Sequence, residues 1–256
     1  MTQNVLLIHG TWCNGDSWAP ARAQFESRGM TVHTPTLRHH ELPLLEGSPF
    51  IAGLSLTDYV DDLVALTGTF DTPPLIAGLS MGGLIAQLVA ARVENVGLIA
   101  AAPAPAAGIF NLYPSMLRLF YGHFLQLRPR AKPLYPTWER FYWGAAGNMS
   151  ERDARVMFET LVTESGRAYF EMGFPWLDRQ HAARVDFDRV NTPVLTVSGT
   201  RDRIVAPRVA RVTASKYANG TFVSIPGADH MVFDGTALPV TMRAVDKWLE
   251  TVRWSR

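Results

Sequence analysis

The sequence has almost no cysteine and no excess of charge of either sign. Its single cysteine, Cys13, cannot form an internal disulfide, and no Cys/His cluster with metal-ligand spacing occurs. We therefore expect a reducing compartment, by default the cytoplasm, and neither a structural metal nor a cofactor. The 24 Lys and Arg residues against 23 Asp and Glu leave a formal charge of +1. A broad field that would attract nucleic acid or an anionic membrane is thereby excluded, so we expect neither as a partner.

Long hydrophobic runs are also missing. The first apolar run, residues 5–8, is too short for a signal-sequence core or a membrane span, and no basic segment precedes it, so no targeting segment is expected. The chain does have the composition of a globular protein, with 47% hydrophobic and 18% charged residues. Its length of 256 residues suits a single α/β domain, and both a monomer and a homodimer stay open.

Short apolar runs that stop at Gly, Pro or a turn alternate with stretches of helical periodicity. Such runs are typical of parallel strands buried on both faces. They cover residues 5–8, 30–34, 75–77, 96–102, 194–197 and 221–225, and the helical stretches cover 18–28, 56–66, 81–93, 207–217 and 240–252. The alternation predicts an α/β fold with a mostly parallel sheet flanked by helices. Ligand sites in such folds lie beyond the carboxyl ends of the strands.

The alternation breaks between about residues 105 and 186, where most of the aromatic residues lie. Ser150 and Asp153 in this segment resemble a capping box and predict a helix start. We therefore predict a helical cap, residues 105–186, inserted into a core formed by residues 1–104 and 187–256. The basic residues Arg128, Arg130 and Lys132 of this cap segment are interpreted as part of a solvated loop.

The segment Gly78-Leu79-Ser80-Met81-Gly82 lies between a predicted strand and a predicted helix. Two glycines at this spacing let the strand and the helix approach around a sharp turn, from which the Ser80 side chain projects. A serine hydroxyl is a poor nucleophile unless a positioned base takes its proton. The pattern therefore predicts a nucleophile elbow, formed by Gly78 and Gly82 around Ser80.

An acid and a histidine follow later strands in the order that this architecture requires. Asp202 comes after the strand at 194–197, and His230 comes after the strand at 221–225. Asp229 and Asp234 flank His230 and stay open as alternative acids, although they belong to its own loop. We predict Ser80, His230 and Asp202 as a catalytic triad.

Acyl transfer also needs two donors for the oxyanion of its tetrahedral intermediate. The backbone N–H of Met81, directly after the nucleophile, is one candidate. The loop after the first strand, His9-Gly10-Thr11-Trp12, supplies the other, with Thr11 as the first choice and Trp12 as the alternative. His9 is interpreted as a residue that orients this loop.

These motifs together resemble the alpha/beta-hydrolase superfamily, and the resemblance covers essentially the whole chain. Within it, the segment 9–18 and Asp229-His230-Met231 are similar to the small methylesterase and hydroxynitrile lyase group and its bacterial esterase relatives. The lyases of that group typically carry Lys directly after the catalytic His and lack Gly after the first-strand His, where this chain has Met231 and Gly10. Epoxide hydrolases and haloalkane dehalogenases carry Asp at the elbow, where this chain has Ser80.

The predicted function is a cofactor-free serine carboxylesterase that acts on small apolar esters through an acyl-enzyme. The aromatic cap would form a mostly apolar pocket above Ser80. A lactonase, a thioesterase or a C–C bond hydrolase would share the same motifs and stays open. So does a ligand-binding protein without catalysis on the same scaffold.

Overall fold

A computed structural model describes residues 2–110 and 113–252 and contains one six-stranded sheet in that part of the chain. All neighbouring strands are parallel, in the order β2-β1-β3-β4-β5-β6. The strands are β1 (Asn4–Ile8), β2 (Thr31–His33), β3 (Leu75–Leu79), β4 (Gly97–Ala101), β5 (Val194–Gly199) and β6 (Gly220–Ile225). The prediction of a mostly parallel sheet flanked by helices is confirmed.

The described residues also contain ten α-helices. They are α1 (Ala19–Glu26), α2 (Leu44–Ile51), α3 (Leu56–Thr67), α4 (Met81–Ala90), α5 (Pro114–Phe124), α6 (Trp138–Gly144), α7 (Glu151–Glu159), α8 (Gly166–Gly173), α9 (Pro207–Ala214) and α10 (Leu238–Leu249). No helix in these residues has both the length and the apolar character that crossing a membrane requires.

Successive side chains of each strand enter two separate hydrophobic layers, because side chains alternate between the faces of a sheet. Leu6 and Ile8 of β1 pack in one layer with residues of α3 and α4, such as Leu84. Leu7 packs in the other layer with residues of α1 and α10, such as Trp248. Both faces of β1 are therefore buried, which explains its continuous apolar sequence.

The segment between β4 and β5 contains the four helices α5 to α8, where the sequence predicts the cap. The helix α7 begins directly after Ser150, whose side chain accepts a hydrogen bond of 3.1 Å from the Asp153 N–H. This is the local signal read from the sequence. The boundary of the cap segment at residues 105 and 186 stays a prediction.

Parallel strands bring their carboxyl ends to one edge of the sheet. In the register of neighbouring strands, Ile8 lies opposite Gly78, and Leu79 lies opposite Ala101. At the other end of the sheet's strand order, Gly199 lies opposite Ile225. The loops that follow these residues, which carry the residues predicted from the sequence, therefore start from the same edge.

Candidate active site

Ser80 lies in the sharp turn between β3 and α4, with φ 60° and ψ −122°. A positive φ is unfavourable for a residue with a side chain and costs on the order of 1–3 kcal/mol. The flanking glycines make the turn feasible. A Cβ on Gly78 would overlap the Gly82 carbonyl, and a Cβ on Gly82 would overlap the Ile8 carbonyl. The structure therefore places Ser80 in a strained strand–helix turn whose geometry depends on both glycines.

Hydrogen bonds from neighbouring strand ends hold the Ser80 backbone in this conformation. The Ser80 N–H donates to the Ala101 carbonyl at 2.9 Å, and the Ser80 carbonyl accepts from the N–H of Gly83 and of Ala104, each at 2.9 Å. Two of these partners, Ala101 and Ala104, belong to β4 and the loop after it. Hydrogen bonds to β4, to the loop after it and to the first turn of α4 thus stabilise the strained backbone conformation of Ser80.

His230 and Asp202 are joined across two loops by a hydrogen bond of 2.8 Å between Nδ1 and Oδ2. Since a carboxylate can only accept, Nδ1 carries the proton, and in the neutral ring Nε2 is left as an acceptor. The other carboxylate oxygen, Asp202 Oδ1, accepts from the N–H of Ile204 at 2.8 Å and of Val205 at 2.9 Å. Both side chains are almost fully buried. The arrangement fixes the tautomer that a general base needs.

The alternative acids Asp229 and Asp234 have other hydrogen-bond partners. Asp229 accepts from the N–H of Met231 and of Asn148, each at 3.0 Å. Asp234 accepts from the N–H of Gly235 at 2.6 Å. Among the described residues, Asp202 is the carboxylate that bonds the His230 ring.

Ser80 Oγ and His230 Nε2 make no hydrogen bond to each other or to any other atom of the described residues. Their contact in a triad is often long in the absence of substrate and shortens when substrate binds. Ser80 is 9% exposed. The nucleophile candidate therefore has a free hydroxyl with limited access to solvent.

The loop after β1 approaches the elbow because Gly10 has no side chain. A Cβ on Gly10 would lie 3.2 Å from Ser80 Cβ and 3.0 Å from the Leu79 carbonyl oxygen. The backbone N–H groups of Thr11 and Met81 donate no hydrogen bond within the described residues. The same is true of Trp12, whose φ is 65°. Thr11, in the loop that approaches the elbow, and Met81, directly after Ser80, thus each offer a free donor for an oxyanion, and Trp12 stays an alternative to Thr11.

His9 uses both ring nitrogens inside the core. Nε2 accepts from the Leu37 N–H at 3.0 Å, so Nδ1 carries the proton and donates to the Gly10 carbonyl at 2.9 Å. Burial, together with the charge of His40, lowers the pKa of His9 to about 3. The ring therefore stays neutral at physiological pH and holds the loop that carries Thr11.

The Trp12 side chain and backbone are both attached to the cap segment. Trp12 Nε1 donates to the Leu134 carbonyl at 2.9 Å, and the Trp12 carbonyl accepts from the Val162 N–H at 2.7 Å. Thr11 Oγ1 and the Tyr169 hydroxyl share a hydrogen bond of 2.7 Å. The loop beside Ser80 is thus anchored by three hydrogen bonds to residues between β4 and β5.

A cavity of about 140 Å³ lies above Ser80 and Met81. Its walls come from the core, where Ile204 and Val205 contribute, and from the cap segment. The residues of the cap segment include Met116, Phe120, Phe124, Tyr169 and Phe174. No charged side chain occurs among the described residues of the lining. The cavity suits an uncharged apolar group next to the Ser80 hydroxyl.

Two kinds of site residue escaped the sequence analysis. Ile204 and Val205 hold Asp202 through their N–H groups and also line the cavity. Their position two and three residues after Asp202 is a signal that could have indicated this role. Tyr169 contacts Thr11 across 158 positions of sequence and belongs to no motif. No three His, Cys, Asp or Glu residues of the described ranges are placed to hold a metal ion.

The chain belongs to the alpha/beta hydrolase family, whose model matches residues 5–240. A pimeloyl-[acyl-carrier protein] methyl ester esterase of Pectobacterium carotovorum is 25% identical over 241 residues, which cover 90% of this chain and 88% of that protein. A pyrethroid hydrolase of Sphingobium faniae superposes with a TM-score of 0.70 at 17% identity, covering 97% of this chain and 98% of that one. A methylesterase from Arabidopsis gives a TM-score of 0.68 at 12% identity, covering 96% and 100%. The two structures show the shared fold, and the resemblance read from the motifs is confirmed.

Proposed function

We propose that this protein is a serine carboxylesterase for esters with a small apolar group. Ser80 is the nucleophile, His230 the general base and acid, and Asp202 the residue that orients His230. The N–H groups of Met81 and Thr11 are the oxyanion donors, with Trp12 as the alternative to Thr11.

One observation carries this proposal. Ser80 has a positive φ in a strand–helix turn, and this turn lies at the same edge of the sheet as the loops that hold the buried His230–Asp202 pair. The backbone strain of a positive φ is often found at functional sites, and a nucleophile elbow is a turn strained in this way. The free N–H groups of Met81 and Thr11 add candidates for the two donors that acyl transfer requires.

In the acylation half, Ser80 Oγ attacks the ester carbonyl carbon while its proton moves to His230 Nε2. The resulting oxyanion accepts hydrogen bonds from the Met81 and Thr11 N–H groups. Collapse of this intermediate breaks the bond to the alcohol oxygen, which takes the proton from His230. Asp202 stabilises the imidazolium that exists in between, without itself being protonated.

In the deacylation half, a water molecule attacks the acyl-Ser80 ester while His230 Nε2 takes one of its protons. The same N–H groups hold the second oxyanion. Its collapse returns the proton to Ser80 Oγ and releases the carboxylic acid. Water and ester are consumed, acid and alcohol are formed, and no cofactor is needed for this balance.

The size and polarity of the cavity support the substrate class. About 140 Å³ lined by thioether, aromatic and aliphatic side chains accommodates a short or compact apolar group and offers no partner for a second charge. The curated relatives are named as esterases of a methyl ester, which is an ester with a small alcohol. The cavity favours a small uncharged group next to Ser80, and the names of the relatives favour an ester.

The proposal is tested with a fluorophosphonate probe followed by peptide mass mapping. We expect labelling at Ser80, its loss in Ser80→Ala, and much slower labelling in His230→Ala. In parallel, turnover is measured on a panel of short esters, lactones and thioesters. Unchanged ester hydrolysis in Ser80→Ala would overturn the assignment, and binding of esters without turnover by the unaltered chain would favour a binding protein.

Asp202→Asn and Asp229→Asn form a matched pair for the third residue. Both remove one carboxylate from the neighbourhood of His230, but only Asp202 bonds its ring. We expect Asp202→Asn to lower kcat by about 10⁴, the effect of this change in a well-studied triad, because Asn disturbs the tautomer of the ring. Asp229→Asn is expected to retain most of the activity. The opposite ranking would move the acid to Asp229.

A further inference from the structure

One corner of the cap segment exposes large apolar side chains to solvent. It is formed by residues 124–132, which cover the end of α5 and the turn after it, and by residues 170–179, which cover the end of α8 and the loop after it; we call it the apolar corner. Leu125 is 78%, Leu127 84%, Trp176 64% and Leu177 56% exposed. Single exposed apolar residues are common, but a group of this kind marks an interaction surface.

Ring contacts show that the two segments form one surface. Phe124 meets Phe174 at a centroid distance of 4.9 Å, and Phe174 meets Trp176 at 5.6 Å. The Arg130 guanidinium lies 4.9 Å from the centroid of the Phe170 ring. The short 3-10 turn Pro129–Ala131 also packs against α8. The exposed apolar residues of both segments therefore lie on the same part of the cap segment.

All exposed charges of the apolar corner are positive. Arg128, Arg130, Lys132 and Arg179 are exposed. No Asp or Glu occurs between Glu94 and Glu139. Asp178, within the second segment, is 2% exposed and accepts from the N–H groups of Gln180 and Ala182 in its own turn. The surface thus combines protruding apolar side chains with cations and has no exposed carboxylate in its two segments.

We propose that the apolar corner docks on an anionic lipid surface. The charge of the whole chain is close to zero, so the attraction is local and comes from the four cations of the corner rather than from a long-range field. Cations beside protruding Leu and Trp side chains suit a lipid interface, where the charges meet anionic head groups and the apolar groups enter the acyl region. The acidic surface of a protein would match the cations but would offer no apolar region into which the protruding leucines could insert.

The apolar corner is continuous with the cavity above Ser80. Phe124 and Phe174 line that cavity, and they also contact the corner, since Leu125 follows Phe124 and the Trp176 ring touches Phe174. A lipid-dissolved ester could pass from the interface along these rings to Ser80. This delivery step rests on the proposed esterase function, whereas docking on lipid does not.

Docking is tested by co-sedimentation of the full chain carrying Ser80→Ala with vesicles. One set contains phosphatidylcholine only, and the other also contains phosphatidylglycerol. We expect binding to the anionic vesicles, at least tenfold weaker binding to the neutral ones, and loss of binding at high salt. Replacing three cations, Arg128→Ala, Arg130→Ala and Lys132→Ala, should weaken binding by about 100-fold, or roughly fivefold for each charge.

Variants separate the lipid proposal from its rivals. Leu125→Ser with Leu127→Ser and Trp176→Ser should also lose vesicle binding, whereas Val156→Ser on α7 and Arg243→Ala with Lys247→Ala on α10 should bind normally. Vesicle binding that the apolar substitutions leave unchanged would mean that the leucines and the tryptophan do not enter the lipid, and would overturn the proposal. So would the absence of vesicle binding, or a dimer in size-exclusion chromatography that the apolar triple variant abolishes.

Activity distinguishes a failure of docking from a failure of the proposed function. With the active chain, the apolar triple variant should hydrolyse a short water-soluble ester normally, because none of its three residues lines the cavity. Its rate on a lipophilic ester with one small apolar group, dissolved in anionic vesicles, should fall in proportion to its binding. Vesicle binding without any ester hydrolysis would leave the docking surface standing and refute the esterase.

Discussion

Removal of the buried carboxylate of Glu164 is predicted to destabilise the fold strongly. Glu164 is fully buried, and its Oε2 lies 3.2 Å from His40 Nε2. Its Oε1 accepts from the Tyr59 hydroxyl at 3.0 Å and from the Ser165 N–H at 2.6 Å. His40 Nδ1 faces the Arg38 carbonyl at 3.1 Å, so both ring nitrogens face acceptors and the ring is held as an imidazolium. Glu164→Ala would leave this cation without its counter-charge and two further donors, the Tyr59 hydroxyl and the Ser165 N–H, without a partner.

The magnitude follows from the loss of one member of a buried pair. Such a loss costs about 3–5 kcal/mol, which is a large fraction of the roughly 5–15 kcal/mol that stabilises a typical domain. For a chain of this size, about 2–4 °C of melting temperature corresponds to each kcal/mol, so Glu164→Ala should lower Tm by about 6–20 °C. Glu164→Gln, which keeps an acceptor for Tyr59, should have a smaller effect.

The effect should depend on pH in a defined direction. Burial opposes the charge on His40, but the charge and hydrogen bond of Glu164 outweigh it and raise the pKa of His40 above its ordinary value. A raised pKa in the folded state stabilises the fold fully below pH about 6.5, and this stabilisation is lost as the pH rises through the folded pKa. The difference between the unaltered chain and Glu164→Gln should therefore be larger at pH 6 than at pH 9.

Urea unfolding followed by circular dichroism at pH 6 and pH 9 measures both effects. Glu151→Gln is the matched control, since Glu151 pairs with Arg155 on an exposed face of α7 and its replacement should leave the midpoint unchanged. Equal unfolding midpoints for Glu164→Gln and the unaltered chain at both pH values would refute the argument that the buried pair of His40 and Glu164 stabilises the fold.

Three further predictions concern the site itself. Tyr169→Phe keeps the ring but removes the hydroxyl that bonds Thr11. Because such a hydrogen bond contributes about 1 kcal/mol, we expect roughly a fivefold lower kcat with little change in KM. An unchanged kcat would show that this hydrogen bond does not position the Thr11 donor. Gly82→Ala should prevent folding or lower Tm sharply in a thermal melt, because its Cβ would overlap the Ile8 and His9 carbonyls, while Gly53→Ala, which faces open space, should be tolerated. Phe120→Ala enlarges the cavity, so kcat/KM for bulkier esters should rise relative to methyl esters; a uniform loss across the panel would mean that Phe120 does not determine size selection.

The sheet and the positions of the residues at its carboxyl edge could be predicted because each is marked by a short sequence pattern. Ser80 stands between two glycines after an apolar run, and Asp202 and His230 each follow a strand that ends in a turn. Parallel pairing then brings distant loops to one edge. The identity of the acid and the choice between Thr11 and Trp12 as an oxyanion donor were left open. The hydrogen bond from His230 to Asp202 depends on side-chain geometry that spacing alone does not determine.

The cap segment could be predicted only in outline. Ser150 and Asp153 resemble a capping box and predict the start of α7. Thr137 and Ser165 also cap α6 and α8 through their side chains, but no acidic residue follows them at the third helical position, so the full pattern is absent there. The helix α2 was missed because Gly47 and Pro49 interrupt its periodicity. Contacts such as His40 with Glu164 span 124 positions and join two loops, so no periodic pattern records them.

The motifs suggest that the core carries catalysis and that the cap segment determines substrate selectivity. The contacts between the two indicate instead that the cap segment affects both. Ser80 and His230, the proposed nucleophile and base, belong to the core, and the cavity walls belong largely to the cap segment. However, Thr11 and Trp12, the candidate donors beside Ser80, are fastened to Tyr169, Leu134 and Val162 of that segment. An oxyanion donor misplaced by a fraction of an ångström loses much of its effect, because its advantage depends on being oriented before the charge develops. Substitutions that shift the cap segment should therefore lower kcat as well as raise KM, even when the substituted residue never touches the substrate.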